Sequence, residues 1–176
     1  MLGTGDYGGP SPTIVGSGSV IVTTLRTSLV DVYVLRQTGA SLEFLVLRRA
    51  PGGRCPGSWE SVHGHIEPGE QPASAAGREL KEETGLTPVR LYNLSRVELF
   101  YQHRLDEVAL VPVFVAVVEP QARVLLGTEH DSFEWLAPEA ARQRFAWPRE
   151  RRALDDIETL LADGHGGAVD DVLRVC

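Results

Sequence analysis

Three glutamates, Glu79, Glu82 and Glu83, stand close together in a stretch whose composition predicts an α-helix. From Pro72 to Glu83 the chain is rich in Ala, Glu, Lys, Arg and Leu, which favour helix. At positions i, i+3 and i+4 the three carboxylates share one helix face, where like charges repel. A solvated acidic face is the ordinary result of such a charge run, but a bound cation would reverse the repulsion, and carboxylate oxygens suit Mg²⁺. The spacing therefore indicates a candidate metal site.

The segment before this helix contains turn residues, and a basic residue follows within the helix itself. Gly64 and Pro68–Gly69 predict tight turns and a close approach of the backbone. A glycine loop that runs into a helix N-terminus can present N–H groups to phosphate. Arg78 is next to Glu79 and can hold a carboxylate through a two-pronged hydrogen bond. We therefore expect a loop–helix unit that binds an anionic substrate with the help of a cation.

Residues 64–86 read Gly, five free positions, Glu, seven free positions, Arg-Glu-Leu, one free position, Glu-Glu, one free position and Gly-Leu. This order resembles the Nudix box, GX5EX7REUXEEXGU with U an apolar residue, and every fixed position matches. The resemblance implies an α/β fold, the Nudix α/β/α sandwich with a mixed β-sheet, in which the box forms a strand, a loop and a helix. It also implies Mg²⁺-dependent hydrolysis of a nucleoside diphosphate linked to another group. Within the box, Glu70 and Arg78 are expected to give structural support.

The expected metal ligands are four glutamates, three from the box and one from outside it: Glu79, Glu82, Glu83 and Glu129. In Nudix enzymes a carboxylate beyond the box often completes the metal site or acts as a base, and Glu129 lies in the loop before a predicted last strand. The alternative for Glu129 is a solvated loop acid, which is the ordinary surface preference of Glu. Mg²⁺ is the expected cofactor, with Mn²⁺ as its substitute. Glu82, Glu83 and Glu129 are the candidate catalytic residues, and Glu82 or Glu129 would take the proton of the attacking water.

Three residues near the start of the box are candidates for substrate binding: Arg48, His63 and Gly64. Arg48 follows the strand that leads to the box, where many Nudix enzymes carry a phosphate-binding arginine, and guanidinium geometry suits phosphate oxygens. His63 and His65 flank Gly64, where an imidazole could contact phosphate or transfer a proton. The alternatives are a solvated strand end for Arg48 and polar loop residues for the histidines. Glu60 is left open as a further ligand or a solvent-facing residue.

The remaining elements must hold the box and its neighbours in place. The apolar pattern predicts a hairpin over 29–48 and a short strand over 59–63 that delivers the chain to Gly64. Further strands are predicted at 87–94, 96–101, 107–118, 123–126 and 132–136, with Pro112 marking a bulge or an edge in the third of these. Helices are predicted at 137–144 and 149–162. The apolar stripe of the last helix is expected to pack on the sheet face opposite the box helix, which gives three layers.

The length of 176 residues predicts one domain with two flanking tails. Residues 1–18 form a Gly-rich N-terminal tail and residues 19–162 form the Nudix domain. Residues 163–176 form a Gly-rich link and a short apolar tail, which could contact a partner subunit. A homodimer is therefore one expectation.

Charge and cysteine content limit the partners and the cellular setting. The net charge of −7 argues against binding a nucleic acid polymer or an anionic membrane. Two cysteines, Cys55 and Cys176, make no disulfide framework, so a reducing cytoplasm is the simplest location. We expect no signal peptide, and the longest apolar run, 108–118, is too short for a transmembrane helix. The expected partner is a small phosphorylated substrate.

Residues 45–158 resemble more closely one group of Nudix enzymes, the dihydroneopterin triphosphate pyrophosphatases, also described as deoxy-ATP pyrophosphohydrolases. The segments that carry this resemblance are LVLRR (45–49), SWESVHGHIEPGE (58–70), TEHDSFEWL (128–136) and FAWPRERRALDDIE (145–158). The alternatives are a hydrolase of nucleotide sugars or dinucleoside polyphosphates, and a Nudix-fold module that binds a ligand without catalysis. The base or pterin pocket is expected outside the box, with four candidate residues: Phe100, Tyr101, His103 and Trp147.

Overall fold

Eight strands and four α-helices make up the part of the chain that the structure describes. The computed structural model describes residues 23–39, 41–161 and 165–176, so the expected tail over 1–18 lies outside the described residues. The strands are β1 (Thr24–Arg26), β2 (Leu29–Thr38), β3 (Ser41–Arg49), β4 (Trp59–Glu60), β5 (Val62–His65), β6 (Arg90–Gln102), β7 (Glu107–Val117) and β8 (His130–Leu136). The helices are α1 (Pro72–Thr84), α2 (Pro138–Arg144), α3 (Pro148–Leu161) and α4 (Asp170–Leu173), and a 3-10 turn spans Gly167–Val169.

The strands form one mixed sheet with β2 near its centre. β2 pairs antiparallel with β3 and β5 and parallel with β7. β6 pairs antiparallel with β7 along its length, and β1 pairs parallel with the start of β7 on the edge that β2 also occupies. β4 and β8 pair antiparallel with opposite edges of the end of β3. The predicted hairpin over 29–48 is therefore confirmed as β2 and β3.

Each face of the sheet carries its own apolar core. On one face, strand residues such as Leu47 and Phe114 pack with Leu80 of α1. On the other face, strand residues such as Tyr33 pack with Leu154 of α3. Helices α1 and α3 thus cover opposite faces, which confirms the α/β/α sandwich.

Helix α1 follows the pattern of its sequence closely. Ala76 and Leu80 of the predicted stripe are fully buried, while Ala73 packs at the edge of the same core. Gly85 caps the C-terminus in the left-handed conformation with a φ of 69°, which glycine adopts without steric cost. Because the buried stripe of α1 fixes the rotation of the helix against the sheet, the order of the glutamates along the sequence becomes a fixed order in space.

The two strands predicted at 87–94 and 96–101 form one strand, β6, which carries a bulge. The register of β6 against β7 shifts between Asn93 and Val97, opposite Pro112. Pro112 pairs with Val97 beside this bulge, and on the other edge of β7 it lies between the residues that pair with β1 and those that pair with β2.

Residues 123–126, which we predicted to form a strand, pair instead with the end of α1. The Leu125 N–H donates to the carbonyl of Thr84, and the Gly127 N–H donates to the carbonyl of Glu83, both at 2.8 Å. This segment was predicted from its apolar residues, but its backbone groups are satisfied by the helix C-terminus.

The C-terminal tail lies against its own chain. The Val175 N–H donates to the carbonyl of Leu91 at 2.7 Å, and the Leu91 N–H donates to the carbonyl of Cys176 at 3.1 Å. The tail therefore covers the inner part of the β6 edge, and its contact with a partner subunit stays a prediction.

Candidate active site

Gly64 is the place where strand β5 touches the box helix. A Cβ at Gly64 would lie 1.9 Å from Cγ and 2.1 Å from Cδ of Glu79, which is closer than atoms can approach. In this position the Glu79 carboxylate accepts hydrogen bonds from the His65 N–H and from Arg78, both at 2.9 Å. The box needs glycine here because the Glu79 side chain fills the space of a Cβ.

Arg78 connects the box glutamates to the loop that precedes α1. Its guanidinium donates to both carboxylate oxygens of Glu70, at 3.0 and 2.9 Å, and to the carbonyl of His65 at 2.7 Å. It also donates to Glu79 and, at 3.2 Å, to Glu82. The same guanidinium holds the pKa of Glu70 below its usual range. These are the contacts that the expected supporting role of Arg78 and Glu70 requires.

Glu83 differs from Glu82 because it is buried. The Glu83 side chain is 7% exposed, whereas that of Glu82 is 58% exposed. Its Oε2 atom has no hydrogen-bond partner among the described residues. Burial raises the pKa of Glu83, and neighbouring glutamates raise it further, to about 8, although His63 acts in the opposite direction. A buried carboxylate of this kind is costly unless a proton or a cation satisfies it.

Glu83 is surrounded by further charged side chains that come from three strands. The buried ring of His130 has Nδ1 3.5 Å from Glu83 and Nε2 3.5 Å from Glu60. Arg49 donates to Glu60 at 3.0 Å and lies 3.2 Å from Glu129. Burial alone would raise the pKa of Glu60, but His130 and Arg49 contribute to an overall lowering. Glu60, which we left open, is therefore buried within the site and does not face solvent.

Sequence reasoning selected Arg48 for the site and missed Arg49. Leu47 faces α1, and Arg49, two residues further along β3, reaches the same side. Arg48 faces the other side, where it donates to Asp131 at 2.7 Å and lies over the ring of Trp59. The alternation of β3 is the signal that could have distinguished the two arginines, and the role of Arg48 stays a prediction.

The loop that carries Glu129 is held against both α1 and β3. The Gly127 N–H bonds to the carbonyl of Glu83, and a Cβ at Gly127 would lie only 2.8 Å from the Glu82 carbonyl oxygen. The carbonyl of Glu129 accepts a hydrogen bond from the Ala50 N–H at 2.8 Å. These contacts bring Glu129 to the end of the box helix, as a fourth carboxylate of the site requires.

An open cleft of about 500 Å³ lies beside these carboxylates. Its lining consists of Arg49, Ala50, Gly52, Gly53, Arg54, Thr128 and Glu129. This size suits a small-molecule site, and the two arginines could neutralise phosphate. A larger depression of about 640 Å³ lies between Gln37 and Arg174, and Glu119 is the one carboxylate in its lining. The smaller cleft adjoins the box glutamates through Glu129, so it is the candidate substrate site.

His63 lies on the sheet face opposite Gly64, since neighbouring strand residues alternate in direction. Its Nδ1 lies 2.7 Å from Asp31 and its Nε2 lies 3.4 Å from Glu150, while Arg149 donates to Asp31 at 3.1 Å. Burial alone lowers the pKa of His63, but the negative charges of Asp31 and Glu150 raise it to about 10. In the described part of the chain His63 forms ion pairs with this group and none with a box glutamate. Its role in substrate binding stays a prediction.

The four residues expected at the base or pterin pocket lie in two places. Phe100, Tyr101 and His103 belong to the exposed end of the β6–β7 hairpin. Trp147 lies just before α3, with the guanidinium of Arg149 5.6 Å from its ring. Only Trp147 is next to the buried charges on the α3 side of the sheet, and the pocket stays a prediction.

The donor set fits a divalent cation, although no three Asp, Glu, His or Cys side chains of the described residues already form a metal-binding group. Glu79 is engaged by Arg78, while Glu83 has a buried oxygen without a hydrogen-bond partner. Glu82 and Glu129 add two exposed carboxylates nearby. An all-oxygen set of this kind is what Mg²⁺ and Mn²⁺ prefer.

Comparison with known proteins gives a consistent result. The family model of the NUDIX domain matches residues 25–157. The chain is 38% identical over 133 residues to an octanoyltransferase of Myxococcus xanthus, covering 71% of this chain but 35% of that protein. It is 30% identical over 123 residues to the asymmetrical bis(5'-nucleosyl)-tetraphosphatase of Mus musculus, covering 69% of this chain and 82% of that protein. It is also similar to the solved E. coli dihydroneopterin triphosphate pyrophosphohydrolase, with a TM-score of 0.61, 24% identity and coverage of 81% of this chain and 100% of that chain.

The three-layer fold and the complete box define a member of one enzyme class. The chain belongs to the Nudix family, and the prediction of a Nudix hydrolase is confirmed. The likeness to the E. coli structure shows the fold alone, and the chain spans about a third of the Myxococcus protein. In the described ranges no helix is both long and apolar enough to cross a membrane.

Proposed function

We propose that this protein is a Mg²⁺-dependent pyrophosphohydrolase that cleaves a phosphoanhydride bond of a nucleoside or pterin di- or triphosphate. The observation that carries the proposal is the buried carboxylate of Glu83, whose Oε2 has no hydrogen-bond partner among the described residues, close to a cleft that Arg49 and Glu129 line. Phosphoryl transfer depends mainly on positioning and on neutralising charge, and this arrangement offers both.

The four glutamates divide into an inner and an outer pair. Glu79 and Glu83, both largely buried, would hold the cation, with Glu82 and Glu129 on the solvent side. When bound, Mg²⁺ neutralises phosphate charge and lowers the pKa of a water molecule. Glu82 and Glu129 are each 58% exposed, so either can reach a water and accept its proton. The water oxygen then bonds to phosphorus while the anhydride P–O bond breaks, and the electron pair leaves with the departing phosphate.

Arg49 connects the carboxylates to the cleft. Its guanidinium is held by Glu60 and lies beside Glu129, so its orientation is fixed before the substrate arrives. Together with Arg54 it would neutralise phosphate oxygens, which guanidinium groups bind in a two-pronged manner. A positive cleft beside negative metal ligands would place the anhydride between them.

The substrate is proposed as a class with named alternatives. A deoxynucleoside or dihydroneopterin triphosphate follows from the sequence resemblance over residues 45–158. A dinucleoside polyphosphate is favoured by the similarity to the mouse tetraphosphatase. Nucleotide sugars remain a third possibility, because they contain the same diphosphate.

A Nudix-fold module without catalysis is the alternative from a different class. All the box glutamates are present in this chain, whereas modules of that kind usually lose them. We also propose a reducing cytoplasm as the setting, since Cys55 and Cys176 are exposed free thiols. The expected homodimer stays a prediction.

The test is a Mg²⁺ titration with this panel of substrates, followed by chromatography of the products. We expect turnover that requires the metal, and loss of turnover in Glu83→Gln with an unchanged circular dichroism spectrum. Glu139→Gln is the matched control, because Glu139 is an exposed carboxylate of α2 outside the site. Full Mg²⁺-dependent activity of Glu83→Gln, or no turnover of any panel member by the folded wild type, would refute the proposal.

A further inference from the structure

The outer part of strand β6 is an exposed apolar surface that the rest of the described chain leaves uncovered. Val97, Leu99 and Tyr101 are 56%, 68% and 54% exposed, and Leu25 of the neighbouring β1 is 66% exposed. Val97, Leu99 and Tyr101 face Pro112, Leu110 and Val108 on β7, so they share one face of the sheet. Leu25 lies beside Val108 and extends the same face. Clusters of exposed apolar side chains of this kind mark interaction surfaces more often than free surface.

This face belongs to the α1 side of the sheet, but α1 does not cover it. Phe114 and Ala116 of β7 pack in the core beneath α1. Leu110 and Pro112 point to the same face of the sheet, because alternate residues of a strand share a face. The charges on β6 are on the other side, where Glu98 is buried and Arg96 contacts Asp156 of α3. No charged residue of β6 therefore protects the apolar face, as charges do on most natural edge strands.

The backbone edge beside this face is also free. Strand β6 pairs with β7 on one side only, and the C-terminal tail covers its other side at Leu91. Over residues 96–102 no other described strand pairs with that outer side. An unpaired edge with alternating apolar side chains is a template for the addition of another strand.

We propose that this surface binds a second copy of the chain, with the two β6 strands pairing antiparallel about a twofold axis at Leu99. Leu99 is the midpoint of the free segment 96–102, so this register pairs its whole length. Val97 of one copy then faces Tyr101 of the other, and Glu98 faces Phe100. A register with the axis at Glu98 would instead set two like charges face to face, which is unfavourable.

The side-chain pattern of the segment is thus complementary to itself. Isologous contacts of this kind, in which the same surface serves both subunits, are the commonest way in which soluble proteins form dimers. The two apolar faces join across the axis into one sheet surface that includes Leu25 of each copy. The proposed pairing uses residues of β6 and none of the residues that form the box or line the cleft.

Analytical ultracentrifugation of the full chain over a range of concentrations tests this proposal. We expect the wild type to sediment with twice the mass of one chain. Leu99→Lys should weaken the dimer at least about a hundredfold, since two leucines lose their burial and two lysines meet at the axis. Val172→Lys is the matched control, because Val172 is an apolar residue on α4 that is 77% exposed against 68% for Leu99, and it should leave the dimer unchanged. Circular dichroism shows whether each variant is folded.

Disulfide trapping tests the register. In a background with Cys55→Ser and Cys176→Ser, Leu99→Cys should form a linked dimer under mild oxidation, because opposed residues of antiparallel strands lie at disulfide distance. Val172→Cys should not. A wild type that stays monomeric, or a dimer that persists in Leu99→Lys, would overturn the proposal. The proposal would also fail if the protein were a monomer in which a maleimide labels Leu99→Cys only after residues 1–22 are deleted. In that case residues 1–22, and not a second copy, would cover this surface.

Discussion

Replacement of Gly64 by alanine tests whether the close contact between β5 and α1 positions the metal ligands. The new Cβ would lie 1.9, 2.1 and 2.6 Å from Cγ, Cδ and Oε1 of Glu79. The contact is with a flexible side chain, so the Glu79 carboxylate would move and the backbone would stay. In moving, Glu79 would lose the hydrogen bonds from the His65 N–H and from Arg78.

The size of the effect follows from these contacts. Forcing a methyl group into a filled space costs about 1–3 kcal/mol, and a hydrogen bond to a charged group contributes about 1.5–3 kcal/mol. The alanine lowers the entropy of the unfolded chain, which offsets about 0.4–1 kcal/mol of this loss. If one of the two hydrogen bonds to Glu79 is not replaced, we expect Gly64→Ala to lose about 1.5–5.5 kcal/mol of stability, or about 3–22 °C in Tm for a chain of this length. Turnover should fall at least about tenfold, because a ligand of the proposed cation site is displaced.

The assay is thermal unfolding, together with Mg²⁺ binding by calorimetry and turnover on the best substrate of the panel. Gly77→Ala is a matched control in the same motif, because a Cβ at Gly77 meets nothing within 4 Å. That variant should gain roughly 0.5–1 kcal/mol from the helix propensity of alanine. If Gly64→Ala kept wild-type Mg²⁺ affinity and turnover, the contact between Gly64 and Glu79 would have no part in positioning the site.

Three further predictions concern charge. Without metal, the folded-state pKa of Glu83 is about 8 against an ordinary 4.5, so stability should fall as pH rises from ~4.5 through ~8, by up to about 1.4 kcal/mol per pH unit. Denaturant titrations in EDTA should show this slope in the wild type and lack it in Glu83→Gln. The pKa of His63 is raised to about 10 from 6.5, so its stabilising contribution is complete below ~6.5 and disappears as pH rises through ~10. Replacement by glutamine should remove this pH dependence of the unfolding free energy. A His63→Gln variant that kept the wild-type slope of stability against pH in that window would contradict the ion pair with Asp31. Addition of Mg²⁺ should raise the Tm of the wild type and leave that of Glu83→Gln nearly unchanged, and equal shifts in both would show that the cation binds elsewhere.

The local parts of the site could be predicted from the sequence, because they depend on spacing within one helix and one loop. The period of α1 placed Glu79, Glu82 and Glu83 together, and Gly85 ended the helix where the structure ends it. Glu129 could be proposed because the resemblance supplied a position for it. The first residue of the box, Gly64, was expected to allow a close approach, and the structure identifies Glu79 as the group that approaches.

The contacts that the sequence did not predict depend on which face of the sheet a residue occupies. Arg48 and Arg49 are neighbours, yet Arg49 contacts Glu60 and Glu129 while Arg48 contacts Asp131, because β3 turns alternate residues to opposite sides. His63 is next to Gly64 but joins Asp31, which lies 32 positions away in the sequence and pairs with it across β2 and β5. Register between strands distant in sequence has no local signal, so these contacts could not be read from the motif.

The contrast in burial between Glu83 and its neighbours connects the stability of the fold to its proposed chemistry. A carboxylate with a free buried oxygen destabilises the metal-free chain, since it must either take up a proton or remain charged in an apolar setting. A cation that binds Glu83 would remove this penalty, and the relief would appear as part of the binding free energy. Glu82 and Glu129 are 58% exposed, so their carboxylates are in contact with solvent. One cluster of like residues could therefore both bind a metal and accept a proton, because the fold buries Glu79 and Glu83 and leaves Glu82 and Glu129 in solvent.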